Sequence, residues 1–199
     1  MEQKPARARL IDAAHQLMQT KGLARTTTKE IAKAAGCSEA ALYKHFLSKE
    51  ELFVVVLQER LPKVDLRKLI ADPGAGERSV EEILTAIARQ AALFYEQSFP
   101  IAASLYAEPR LKERHDAAMR ELGTGPHLPI RGVDTYLRAE QTAGRVPADA
   151  DTYAAASLLV GACAQRAFAY DATETGEPPQ SLDAFAASLA RTLLRGLGQ

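Results

Sequence analysis

AGCSEAALYKHFLSKEEL, residues 35–52, is the stretch on which the reading of this chain turns. Gly36 interrupts an alanine-rich run, Ser38 restarts it, and the helix this permits lasts barely two turns. Leu42 and Phe46 stand four apart, so both fall on one face. They predict an anchor on a bundle formed with Leu17, Ile31 and Leu52, which leaves Ser38, Glu39, Ala41, Lys44 and His45 on the opposite face. A helix so short, polar and partly aromatic is an odd choice for a chain able to build long ones.

The flanking sequence frames it tightly. Leu10, Ala14, Leu17 and Met18 give a first helix that Gly22 ends. Thr27-Thr28-Lys29-Glu30 reads as a capping box opening a second short helix through Ile31 to Ala35. Gly36 supplies a turn, and Ser38 is a good N-cap for a third helix ending near Phe46. Ser48-Lys49-Glu50-Glu51 is another capping box, starting a fourth helix through LFVVVLQERL. Two short helices joined by a glycine turn, the second capped and polar-faced, fit a helix-turn-helix. A recognition helix must enter a major groove and aim hydrogen-bonding side chains at base edges. Ala40 and Ala41 keep this one slim and can meet thymine methyls, while Thr27, Tyr43 and Lys49 can hold phosphates.

At these residues the chain resembles the N-terminal domain of the TetR-type (TetR/AcrR) transcriptional regulators. The matching pieces are DAA, KGLARTTTKEIAKAAG, S-x-x-x-LY-x-HF and SKEEL, in register over about 50 residues. The resemblance implies an all-α bacterial protein. Residues 1–60 would form a three-helix helix-turn-helix DNA-binding domain, and residues 61–199 a helical effector-binding and dimerisation domain. It implies a homodimer that binds a (pseudo)palindromic operator, usually as a repressor, and is released by a small molecule. Carried over residue by residue, the family pattern puts Thr27, Tyr43 and Lys49 on phosphates. Ser38, Glu39, Ala40, Ala41, Lys44 and His45 take the groove-facing positions, and Thr28 joins the DNA-binding set. Ala40 stands where the family often has Gly or Pro. Glu39 has two readings: an acceptor for a cytosine amino group, or a complement to the helix dipole.

Charge agrees with a polyanion partner at one end only. The chain carries 25 Lys/Arg and 25 Asp/Glu, yet its first fifty residues hold nine basic side chains against five acidic ones. The charge-free run Thr152–Gln165 is too short to span a bilayer, and the amphipathic start predicts no signal peptide, so a cytoplasmic protein with no membrane partner is expected. His15, His45, His115 and His127 show no metal-ligand spacing. No nucleophile elbow, phosphate-cradling glycine loop or paired carboxylates stand out, so no enzyme, metal or cofactor is expected. Cys37 and Cys163 read as small buried hydrophobes, with a redox role as the alternative.

Beyond residue 61 the pattern is helical throughout. Pro62 and DPGAGER suggest a linker. Ser79-Val80-Glu81-Glu82 caps a helix to Ser98, Pro100 and Pro109 each suit the start of a new helix, and another runs from Pro129 to Ala143. A helix capped by Asp149 or Asp151 runs through Tyr170, TETGEPPQ is a loop, and Leu182, Phe185, Ala186, Leu189 and Leu193 stripe the last helix. The helix TYAAASLLVGACAQ is apolar all round and must be covered. It and the last helix either complete a monomer core or pair with a symmetry mate; the dimer reading involves Leu158, Leu159, Ala162, Arg166, Phe185, Leu189 and Leu193. Phe94, Tyr95, Phe99, Tyr106, His115, Met119 and Tyr136 are either plain core or the lining of the effector pocket the family builds there. A second function class stays open beside the regulator: a helical protein-interaction or ligand-sequestering module without operator binding.

Overall fold

A computed structural model describes residues 4–61, 78–169 and 178–197. The described residues are helical and contain no strand, in nine helices. We number them α1 Ala6–Arg25, α2 Thr28–Ala34, α3 Glu39–Tyr43, α4 Lys49–Arg60, α5 Val80–Ala107, α6 Pro109–Glu121, α7 His127–Thr142, α8 Thr152–Ala169 and α9 Leu182–Leu197. The linker expected from Pro62 to Gly76 and the end of α8 at Tyr170 lie outside the described residues, as does most of the loop TETGEPPQ.

The chain divides into two compact units. The first comprises residues 1–61 and 97–125, and the second residues 62–96 and 126–199. α5 contributes to both, its residues to Glu96 in the second unit and from Gln97 in the first.

In the first unit, α1 packs on α2, α3 and α4, and α4 packs on α6. Its core joins Leu10, Met18, Leu23, Ile31, Leu42, Phe46, Leu52 and Phe53 to Ile101, Leu105 and Leu111. The starts of α2, α3 and α4 follow from their capping chemistry. Thr27 accepts the Glu30 N–H at 3.2 Å, and the Glu30 carboxylate accepts the Thr27 N–H at 3.0 Å, a complete reciprocal box. Ser38 accepts the Ala41 N–H at 3.1 Å and Ser48 the Glu51 N–H at 3.0 Å. At Ser48 the box closes one residue early, because Glu51 accepts the N–H of Leu47 instead. Gly22 and Gly36 have φ of 75° and 63°, left-handed conformations that cost a side-chain-bearing residue about 1 kcal/mol or more. These two positions break α1 and separate α2 from α3.

In the second unit, α7 and α9 both pack on α8. Its core gathers Ile83, Leu84, Ile87 and Ala91 of α5 with Val133, Tyr136 and Leu137 of α7, Leu159 and Cys163 of α8, and Ala186 and Leu193 of α9. Ser79 and Glu82 form the expected capping box at 3.2 and 2.7 Å, and Asp151, of the two aspartates considered, caps α8 through the Ala154 N–H at 2.9 Å.

Three expected boundaries differ. The helix from Ser79 does not stop at Ser98 and restart at Pro100; α5 continues through Pro100 to Ala107. Pro100 removes one backbone donor, at a cost of about 3 kcal/mol, but burial of Ala91 and Ala92 before it and Ile101 and Leu105 after it holds the helix together. The recognition segment is shorter than expected. α3 ends at Tyr43, and the N–H groups of His45 and Phe46 both reach the Leu42 carbonyl at 3.0 Å, carrying the chain round one further turn. α7 starts at His127, two residues ahead of Pro129.

Candidate nucleic-acid interface

The site is built on its buried anchors. Leu42 is 0% exposed and Phe46 2%, and the Arg7 guanidinium lies over the Phe46 ring at 5.6 Å from its centroid. With these two side chains fixed, the period of the helix sends Ser38, Glu39, Ala40, Tyr43 and Lys44 outward, and all of them are exposed. His45 is exposed as well, Ala41 half-buried, and Tyr43 stands 51% exposed. One element, α3 with its following turn, thus brings together seven of the ten candidate DNA-binding residues.

The other three come from the neighbouring helix starts. Thr27 caps α2 and is exposed. Its hydroxyl accepts from the Glu30 N–H and also lies 3.0 Å from the Glu30 carboxylate, so its proton is already engaged. The Lys21 ammonium, together with these Thr27 bonds, holds the Glu30 carboxyl down to about 2. Ser38 differs, since its oxygen accepts from Ala41 while its proton meets no acceptor among the described residues. Thr28 donates to the Glu39 carboxylate, and the Tyr43 hydroxyl sits 3.5 Å from the Thr28 oxygen. A polar line therefore crosses from α2 to α3.

Lys49, at the first position of α4, is half-buried and donates to the Leu23 carbonyl at 3.0 Å. Burial pushes its ammonium below the usual lysine value, with Glu50 opposing. Behind it, Glu50 is 5% exposed and paired to Arg114 of α6 at 2.9 Å, which compensates a carboxylate that would be costly alone. Leu47 is an exposed apolar residue at this surface, 81% accessible, that the sequence did not single out. Its signal was its place one residue beyond the buried Phe46, where the helix has already ended.

The remaining candidates separate by unit. Phe94 and Tyr95 stack edge-on at 5.4 Å in the second unit, which also holds the buried Tyr136. Phe99, Tyr106, His115 and Met119 belong to the first unit; Tyr106 is 77% exposed, and His115 is buried with its ring 5.0 Å from Phe53. On α8, Leu158 is 64% exposed and Ala162 half-buried, whereas Leu159 is fully buried. Arg166 is buried too, 3.1 Å from Glu96 and stacked on Phe185 at 5.1 Å. On α9, Leu193 is buried and Leu189 half-buried within the same unit. The outward face of α8 instead carries Tyr153, Ala154, Ser157, Leu158, Gly161, Gln165 and Phe168, with no charge among them. Of the expected interface residues on α8, Leu158 lies on that face; the sequence could not orient the rest, because an all-round apolar helix has no periodicity to point outward. Cys163 donates to the Ala88 carbonyl, and burial pushes its thiol up to about 12, as an inert core residue requires. Among the described residues no metal-holding cluster occurs, and no helix is long and apolar enough to cross a membrane.

Comparison with known proteins falls on the same residues. Residues 10–56 match the profile of bacterial regulatory proteins, tetR family. The uncharacterized HTH-type transcriptional regulator YvkB of Bacillus subtilis is 43% identical over 56 residues, covering 28% of this chain and 30% of that protein. The HTH-type transcriptional regulator TtgR of Pseudomonas putida is 41% identical over 56 residues, covering 28% and 27%. These matches thus span less than a third of either relative. The fold is similar over the whole length to that of the fatty acid degradation regulator FadR from Bacillus halodurans, with a TM-score of 0.69, 20% identity, and 98% and 97% of the two chains covered. Residues 10–56, and the helices that set them, are thus similar to the bacterial regulatory proteins of the tetR family.

Proposed function

We propose that this protein is a DNA-binding transcriptional regulator, a repressor that grips a (pseudo)palindromic operator as a homodimer and lets go when a small molecule binds. The observation that carries the reading is the polar, exposed face of α3 mounted on the buried Leu42 and Phe46. Groove-facing Ser38, Lys44 and His45, with Thr27, Tyr43 and Lys49 for phosphates, sort into base readers and backbone clamps. In this division of labour, residues 1–60 read DNA, and residues 61–199 bind the effector and the second copy.

A head with so short a helix reads few bases, and a two-fold pair doubles the site. The uncharged outward face of α8 supports that pairing, with Tyr153, Leu158, Gly161 and Phe168 exposed along it. Effector contacts drawn from Phe94, Tyr95 and Tyr136 would couple to DNA by linkage. A ligand that prefers the conformation with wrongly spaced heads lowers operator affinity, and DNA lowers ligand affinity by the same factor.

Selection of bound duplexes from a random double-stranded pool, at near-physiological salt, tests the core of this. An enriched inverted repeat with one fixed half-site spacing is expected. A folded protein that enriches nothing, and whose retention on nonspecific duplex does not fall with salt, overturns it in favour of an interaction module.

A further inference from the structure

We propose that Glu39 reads the 4-amino group of a cytosine in the major groove, and that Thr28 is the positioning residue that aims it. The inference rests on the DNA-binding reading above and adds the base chemistry that this head selects.

Between residues 20 and 50 the chain carries six Lys/Arg and three acidic residues. Glu30 is consumed by the α2 cap and by Lys21 at 2.7 Å, and Glu50 is buried against Arg114. Glu39 is the remaining one, exposed, and among the described residues it makes no ion pair. Facing a polyanion, an unpaired carboxylate repels phosphate, so it is costly unless it meets a donor.

Glu39 stands in the first turn of α3 but does not cap it. The N-cap of α3 is Ser38, whose hydroxyl takes the Ala41 N–H. The Glu39 carboxylate reaches instead across to α2, where it accepts the Thr28 hydroxyl proton. The Thr28 oxygen in turn lies 3.5 Å from the Tyr43 hydroxyl, which can donate to it. The proton order Tyr43 to Thr28 to Glu39 leaves the exposed carboxylate with only acceptor capacity, restrained by one neighbour. A place in the first turn is compatible with the helix dipole, but the bond to Thr28 also fixes the carboxylate on the exposed surface shared by α2 and α3, and this adds weight to the groove reading.

An acceptor with no proton discriminates sharply among base edges. Guanine offers N7 and O6, and thymine O4, all acceptors that repel it. Adenine presents its N6 donor beside the N7 acceptor, while cytosine presents its N4 donor beside a C–H edge. The carboxylate therefore favours cytosine and penalises the other three, and the penalty supplies as much selectivity as the attraction.

The experiment compares full-length wild type with Glu39→Gln, Glu39→Ala and Thr28→Val by duplex selection, then by titration of the enriched operator. One half-site position is expected to be cytosine with wild type. Changing that base should weaken binding roughly ten-fold, the scale of one lost base contact. Replacing that cytosine by 2-pyrimidinone, which lacks only the 4-amino group, should cost a similar factor. Glu39→Gln and Glu39→Ala should lose the cytosine preference while still binding duplex with a salt-dependent affinity. Thr28→Val should broaden the preference at that position and leave the other positions unchanged. An operator whose cytosine preference survives Glu39→Ala, or a wild type that prefers no cytosine, overturns the inference and leaves the regulator standing. Failure of every protein to select any duplex removes both.

Discussion

The outward faces of α3 and α8 are both left uncovered, yet they are opposites. Five residues long, α3 presents Glu39 and Tyr43, with Lys44 at its C-cap, and holds its place through Leu42 and the Phe46 that follows it. Eighteen residues long, α8 presents Tyr153, Leu158, Gly161 and Phe168 without a charge, and is held by a full buried face from Thr152 to Arg166. Water tolerates the first face indefinitely. It penalises the second by about 25 cal/mol for each Å² of apolar surface left wet. A polar face on a minimal anchor suits a wet, charged partner such as DNA, whereas an uncharged face on a rigid helix suits protein. The comparison teaches that exposure alone does not identify a partner; the chemistry exposed, and the depth of the anchor behind it, do.

The largest effect should come from removing that anchor. Phe46→Ala deletes a side chain that is 2% exposed in the core of the first unit and should destabilise that unit by about 3–5 kcal/mol. Urea unfolding followed by hydrogen exchange should show the loss over residues 10–56, together with loss of duplex binding. Retained stability would mean that α3 is not held by Phe46.

Next in size is a change on the other face. A Cβ added at Gly161 meets nothing within 4 Å, so Gly161→Leu costs the lone protomer almost nothing. At a close-packed interface between two copies it would clash. Light scattering should then fall from twice the chain mass to the chain mass. Operator affinity should drop roughly hundred-fold or more, the scale on which paired sites exceed single ones. A variant that stays dimeric at micromolar concentration would move the interface off this face.

A smaller and sequence-independent effect belongs to Lys49. Lys49→Met keeps the apolar stem that packs in place but removes the charge. Cognate and scrambled duplexes should weaken alike, with the salt slope reduced by about 1. Weakening confined to the cognate duplex would make Lys49 a base reader and blur its distinction from Lys44.

Much of this was legible in the sequence, and the part that was not has physical causes. Capping is local, so Thr27 with Glu30, Ser38 and Ser79 with Glu82 announced their helix starts correctly. Amphipathic period is also local, and it exposed the Leu42 and Phe46 stripe. Pro100 misled because its preference for the first helical turn was outweighed by burial on both sides, a tertiary fact. The orientation of α8 was hidden because every face is apolar, so Leu159 and Leu158 looked alike although one is sealed in the core. The Thr28 bond to Glu39 joins residues eleven apart on two helices, and no local rule encodes it.

The smallest effect is a pH dependence that belongs to the first unit. His115 is buried against Phe53 of α4, and burial pushes its imidazole below the ordinary 6.5. The charges that face it are Glu50 from α4 and Asp116 and Lys112 from α6, the carboxylates opposing the shift and the ammonium adding to it. His15 on α1 is lowered likewise, mainly by burial and then by Arg60. A depressed histidine binds fewer protons folded than unfolded, so the stability it contributes is present above 6.5 and is lost as pH falls below that value. Hydrogen exchange corrected for intrinsic rates should therefore show α4 and α6 loosening between about pH 7.5 and about pH 5.5. In His115→Leu the loss should shrink to what His15 contributes. If α8 and α9 loosened over the same window while α4 held, acid sensitivity would lie with the apolar face, and the polar face would be the more robust of the two.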